Sequence, residues 1–292
     1  TAEDGKLSNI LLADISRQKR RGMSKASEDA QNCYDRVHHA LMALCYLAVG
    51  VREGSIRAML RTIQLMKFYL RTGWGESQSF IGGDPTCILH GLCQGNGAAP
   101  ASWLLLSSFL ISIHKQNGHG VKLTGPVSYC NLDQMGIVFV DDTDLYTLDR
   151  QSETGVSMSV DTQAAVDDWG TSIIVTGGGL KPVKCHYYMW DYECTDGQWT
   201  QVDVLDHDAI SVPLPDGTSA PIAQHSIHLS QKTLGIYSNP CGCYAKQVDV
   251  LIDTIQTWTT RVSTGKLPAK WAWVSYSHQL WAKLRSGLGT NG

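Results

Sequence analysis

The sequence contains no run of about 18 apolar residues, the length a membrane-crossing helix requires. Its longest candidate, residues 103–113, is short and broken by Ser107, Ser108 and Ser112, so it reads as a buried helix and not a span. Excess positive charge is also missing. The 24 basic and 27 acidic residues give −3 at pH 7, which excludes simple phosphate binding over the whole surface. A nucleic-acid role would need charge concentrated locally; one such run exists, Arg17, Lys19, Arg20 and Arg21, and alone it reads equally well as the solvated end of a helix. No secretory leader is expected, and the nine cysteines are odd in number and irregularly spaced, which fits a reducing, intracellular setting better than a disulfide framework. An opening methionine is lacking too, which points to a fragment and weakens any statement about targeting. No internal repeat is found. The chain is nevertheless no disordered segment: 292 residues with 43% hydrophobic content can build a sizeable core, as one large or two ordinary domains.

What is present centres on residues 135–150, MGIVFVDDTDLYTLDR. Ile137, Val138, Phe139 and Val140 favour one strand and Leu145, Tyr146 and Leu148 a second, so Asp141, Asp142, Thr143 and Asp144 fall where the chain turns. Adjacent carboxylates repel unless a cation bridges them. Asp144 reads as a turn residue. Upstream, residues 7–15 have helical spacing, Asp29 falls on or just after a strand, and Tyr34 lies at a strand-to-helix junction. Asp35 is placed to cap a helix over 38–50. A further helix and an extended segment near 67–72 precede a loop over 73–85, and Pro100 suits the first turn of the apolar helix. Residues 156–174 read as a helix ending at Gly177-Gly178-Gly179. A strand over 186–193 turns at Asp196-Gly197, and 212–223 reads as a loop. Two helices close the chain, with Trp258, Trp271, Trp273 and Trp281 expected to form a small separate core and a boundary near Pro240.

Taken in order, the pieces are more specific than any one alone. Asp29 precedes Tyr34 in the pattern D-x4-Y; Gln94-Gly95 with Pro100 comes next; then Phe139-Val140-Asp141-Asp142, Leu180-Lys181-Pro182-Val183-Lys184-Cys185, and Leu234-Gly235. This series resembles motifs A to E of reverse transcriptases, the RNA-directed DNA polymerases of retroelements, from about Ala26 onward. The resemblance implies an α+β polymerase palm, an antiparallel sheet with helices packed on one face, over 1–240 with a remnant of fingers, followed by a partial helical thumb over 241–292. It implies two-metal nucleotidyl transfer from a dNTP to a primer 3′-hydroxyl on an RNA template. Carboxylates suit that chemistry, because two Mg²⁺ ions roughly 4 Å apart demand hard oxygen ligands; Mn²⁺ is a substitute. By resemblance, Asp29, Ala30, Asp141 and Asp142 form the metal set and Lys184 donates a proton to the departing pyrophosphate. Tyr34 is then the gate against a ribose 2′-hydroxyl, and Gln94 and Gly95 line the nascent base pair.

The chain departs from the family in having only about 28 residues before Asp29, without the basic strand pair that grips triphosphate and template, unless the run from Arg17 to Arg21 partly substitutes. Its thumb looks curtailed, and no RNase H or integrase segment is evident. Polymerisation by residues 1–292 alone is therefore expected to be weak or nil. The alternative is a non-catalytic descendant that binds nucleic acid or a protein. The family and the thiols imply a nuclear or cytoplasmic location and no membrane partner. Neither the His38-His39 pair nor the Cys241-x-Cys243 pair has a second ligand pair at zinc spacing.

Overall fold

The computed structural model describes residues 2–31, 33–84, 89–93, 95–124, 131–149 and 157–288. Helix α1 (Ala2–Lys19) leads to strand β1 (Met23–Asp29), short α2 (Cys33–Arg36), α3 (His39–Ala48), α4 (Glu53–Gln64) and a hairpin of β2 (Lys67–Thr72) and β3 (Gly75–Gly82). Helix α5 (Ala99–Gln116) is followed by β4 (Val121–Thr124), β5 (Asn131–Gln134), β6 (Gly136–Phe139), β7 (Asp142–Leu148) and α6 (Met158–Val175). Next come β8 (His186–Thr195), β9 (Gln198–Asp203), β10 (Ser211–Pro213), β11 (Ser219–Pro221), β12 (Ala223–Gln224), β13 (Gln231–Thr233) and β14 (Ile236–Ser238). The helices α7 (Ala245–Thr264) and α8 (Ala269–Ser275), a π turn over Tyr276–Leu280, and α9 (Trp281–Leu288) end the described chain. The architecture is α+β around one principal sheet, in the order β12-β8-β1-β7-β6 with β9 on β8.

Alternation along the central strand decides what each face carries. Met23, Lys25, Ser27 and Asp29 stand in register with Leu148, Tyr146, Asp144 and Asp142 of β7, and the first three with Trp190, Tyr188 and His186 of β8. On this face Leu12 of α1 packs against Met23, Tyr146, Tyr188 and Trp190. The opposite face carries Ala26, Leu145, Tyr187 and Met189, covered by Met42 of α3, Trp103 and Leu106 of α5, and Val166 and Trp169 of α6. Burying each such side chain contributes about 1.5–3 kcal/mol. Two features of the expected architecture are thus corrected. The sheet is mixed, because β12 joins β8 in parallel. Helices cover both faces, because Met23 to Glu28 are buried on each side of β1.

Other expectations also change. Residues 75–82 form a strand, hidden in the sequence because neither of its faces is buried and no alternation results. The 212–223 segment contains a small hairpin, β10–β11, and the edge strand β12. Asp35 lies inside α2, and the N-cap of α3 is His38, with no side-chain cap. The C-terminal core consists of Leu251, Leu280 and Leu284, with Trp258 and Tyr276 against it, whereas Trp271, Trp273 and Trp281 are exposed. Across the expected boundary at 240, Tyr237 N donates to Gln247 Oε1 of α7 at 2.9 Å. Among the described residues no helix is long and apolar enough to cross a membrane.

Candidate active site at the tip of the central hairpin

Asp29 ends β1 and is the register partner of Asp142, which opens β7. Phe139 pairs with Asp142, so only Val140 and Asp141 connect β6 to β7. Val140 has φ 60° while Asp141 stays outside the left-handed region, the type II′ pattern in which glycine normally takes the first place. A β-branched residue there is strained by on the order of 1–3 kcal/mol and must be held by its surroundings. Two bonds do so. Trp103 Nε1 donates to the Val140 carbonyl at 2.6 Å, and Ala30 N donates to the Asp141 carbonyl at 3.0 Å.

The segment after α6 docks on the end of β1. Gln31 N donates to Gly179 O at 2.8 Å and Lys181 N to Asp29 O at 3.0 Å, with a bridge between Ala30 and Leu180. Gly177, with φ 96°, has to be glycine because a Cβ would overlap the Arg36 carbonyl. Docked in this way, Lys184 extends its ammonium to Asp29 Oδ2 at 2.8 Å. The hydrogen bond and charge of Asp29 push the Lys184 pKa up.

Burial raises the Asp142 pKa, and the charges of Asp141, Asp144 and Asp29 raise it further, opposed by Lys184. Asp144 is the main correction to the sequence reading of this site. It is not a turn residue but lies buried within β7, accepting from Ser27 Oγ at 2.5 Å and Asn9 Nδ2 at 2.8 Å and pairing with Lys25 Nζ at 3.1 Å. The hairpin turns at Val140 and Asp141 and not over Asp141 to Asp144 as expected, so Asp142 and Asp144 both lie in β7 and share one face. Asn9 also accepts from the Tyr146 hydroxyl, which ties α1 to this network. A cleft of about 460 Å³ opens beside these groups, lined among others by Asp29, Asp142, Asp144, Lys184, His186 and His225. The two histidine rings stack with centroids 4.6 Å apart.

On the other side of the hairpin tip, Tyr34 meets Trp103 edge-on at 6.1 Å, and its carbonyl accepts from Leu92 N at 2.6 Å. Gly91, with φ 83°, approaches the Asp35 main chain so closely that a Cβ would lie 2.5 Å from it. The loop before α5 is thereby fastened to α2. Gly95 has φ 92° and open space around it, and Gln94 lies outside the described residues. Ala30 is buried and offers a ligand only through its main chain. The basic run is taken up structurally in part: Arg17 pairs with Asp14 and donates to Pro240 O, Arg20 lies over Trp199 at 4.7 Å, and Arg21 donates to Asp149 O.

Sequence reasoning missed Asp144, Lys25 and Trp103, and it missed Glu28, buried on the opposite face of β1. Among the described residues both Glu28 carboxylate oxygens lack a hydrogen-bond partner, and burial followed by the charge of Asp167 drives its pKa well up. Strand alternation could have exposed Asp144 and Glu28, had the strand limits been known.

No protein-family model matches the chain, and no curated protein matches it. The functional reading rests on the chain's own residues. Among those described, no group of three or more His, Cys, Asp and Glu side chains is gathered as a metal site. Asp29 is instead turned onto Lys184. The donor chemistry still suits a hard divalent cation: carboxylates on two adjoining strands, one of them with its pKa raised by burial and then by its acidic neighbours, carry more negative charge than one lysine balances.

Proposed function

We propose that this chain is the palm of a reverse transcriptase with a partial thumb, catalysing transfer of a deoxynucleotide to a primer 3′-hydroxyl. The observation that carries this reading is the register pairing of Asp29 with Asp142, with Lys184 held 2.8 Å from the Asp29 carboxylate. Asp29, Asp141 and Asp142, with the main chain of Ala30, would hold Mg²⁺ or Mn²⁺. Bound metal supplies activation of the attacking oxygen and stabilisation of the leaving group. The chain's own residues do the rest. Lys184 Nζ, kept protonated by Asp29, is a proton source for the departing pyrophosphate once the carboxylate turns to another cation. Tyr34, braced by Trp103, occupies the space a ribose 2′-hydroxyl would need, and the glycine-bearing loop around Gly95 lets a base pair approach the backbone. The Val140 and Asp141 carbonyl bonds fix the hairpin tip, so the acidic pair is positioned before substrate arrives.

Mn²⁺ titration followed by electron paramagnetic resonance tests the site without requiring turnover. Asp29→Asn and Asp142→Asn should each weaken Mn²⁺ by at least the roughly 10–100-fold typical of lesser changes around a metal. Primer extension on an RNA template by residues 1–292 should be weak and should vanish in both variants. Mn²⁺ affinity indifferent to both substitutions would sink the proposal and favour a non-catalytic binding module.

A further inference from the structure

The hairpin of β2 and β3 forms a two-stranded sheet of its own, and every residue of β2 is exposed. A free hairpin that keeps large apolar side chains in water is marginal without a partner. Its aromatic groups are ordered. Tyr69 and Phe80 are register partners with ring centroids 5.7 Å apart, Lys67 Nζ sits 4.2 Å over the Phe80 ring, and Trp74 at the turn is fully exposed. Charge is concentrated here as well. The hairpin carries Lys67 and Arg71 against Glu76, the register partner of Arg71, and the preceding segment adds Arg52, Arg57 and Arg61 against Glu53, which pairs with Arg57, in a chain that is acidic as a whole. The base of the hairpin is linked to the candidate site through a short stretch of chain. Gly82 abuts Leu89, three residues before Leu92, whose N–H bonds to Tyr34.

We propose that this hairpin is a binding arm for single-stranded nucleic acid, in which Trp74, Tyr69 and Phe80 stack on bases while Lys67 and Arg71 meet phosphates. Aromatic faces with interleaved cations are the chemistry that recognises unpaired bases, whereas a duplex hides its base faces and offers only phosphates. The opposite side of the hairpin, with Phe68, Leu70 and Ile81, has no such cations between its apolar groups. This inference rests on the polymerase reading for one point only, that a strand held by the arm leads toward Asp29 and Asp142.

Fluorescence anisotropy of the full 292-residue chain with labelled oligoadenylate, oligouridylate and a matched duplex, in EDTA, isolates the arm from any metal chemistry. The parent should bind the single strands in preference to the duplex. Trp74→Ala removes a fully exposed side chain, and should weaken single-strand binding roughly 5- to 100-fold; Tyr69→Ser with Phe80→Ser should do the same. Lys67→Gln should make the logarithmic salt dependence shallower by about 0.7, the slope that each neutralised phosphate of a single strand contributes. Equal affinity of parent and Trp74→Ala, or a preference for duplex, overturns the arm. So does an absence of oligonucleotide binding together with dimerisation that Leu70→Ser dissolves, which would assign the hairpin to a second copy of the chain. Loss of binding only in the arm variants, with Mn²⁺ affinity indifferent to both Asp29→Asn and Asp142→Asn, keeps the arm and removes the polymerase reading; the reverse pattern keeps the palm and removes the arm.

Discussion

Two hairpins of this chain solve opposite problems. The β6–β7 hairpin concentrates acids, and Lys25, Ser27, Asn9 and Trp103 hold it from both sides of the sheet. The β2–β3 hairpin concentrates aromatic and basic groups that stay in solvent. One is fixed by partners that constrain a strained turn; the other is held by little beyond its own strand pairing and its base. Stability and function are therefore expected to separate. Substitutions around the first hairpin should unfold or loosen the protein, and those in the second should alter binding and little else.

The largest effect expected from this contrast is at Asp144. Asp144→Ala leaves Lys25 buried without its counter-charge and strips the acceptor from Ser27 and Asn9, and breaking a buried pair from one side costs about 3–5 kcal/mol. Urea denaturation should show that loss. A change under about 1 kcal/mol, the scale of an exposed pair, would mean that the network is not what anchors the acidic hairpin.

Next in size is the response to acid. Burial holds the His114 and His186 imidazoles down to about 4, aided by the neighbouring charges of His119 and His225 respectively. An unfolded histidine takes its proton near 6.5, whereas these take it only near 4 when folded. Their contribution is intact above pH 6.5 and is lost as pH falls from about 6.5 toward 4. Glu28 and Asp142 act in the opposite sense. Their raised pKa values make the folded chain the stronger proton binder above the ordinary carboxylate range, so they favour folding as pH falls. At pH 5 the stability lost through His114 alone is on the order of 2 kcal/mol. Neither ring nitrogen of His114 has a hydrogen-bond partner among the described residues, so His114→Phe should remove that acid loss, and Glu28→Gln should steepen it. Identical pH profiles in parent and both variants would contradict this account. Residues 51–82 contain no histidine, and this part of the acid response should not involve the exposed hairpin.

The same contrast explains what could be read in the sequence. The acidic hairpin was legible because its strands carry the β-branched and aromatic residues that pack, and the β8–β9 turn was legible because Asp196-Gly197 marks it by chemistry. Asp144 was misread because a run of polar residues looks like a loop until the register shows every second one facing α1. Strand β3 was missed for a related reason: with both faces wet, Glu76, Ser77, Gln78 and Ser79 display no period. Helix α1 on the second face left no mark that distinguished it from a surface helix, since it meets the sheet through Leu12 and the polar Asn9 and Ser16 as well as apolar groups. Long-range pairs such as Lys25 with Asp144 are set by topology, which local spacing does not encode.

The smallest effect belongs to the exposed hairpin and sharpens the comparison most directly. Ile81 is three-quarters exposed on the side of the arm away from Tyr69 and Phe80, so Ile81→Ser removes apolar surface that folding does not bury. Its effect on urea stability should lie within about 0.5 kcal/mol, as for surface positions without a structural partner. The equivalent change on the acidic hairpin, Leu145→Ser, places a hydroxyl among Ala26, Val166 and Met189 and should cost about 2–5 kcal/mol. Comparable losses at the two positions would mean that the arm is buried against something in solution, and that its aromatic groups are not free to receive a strand.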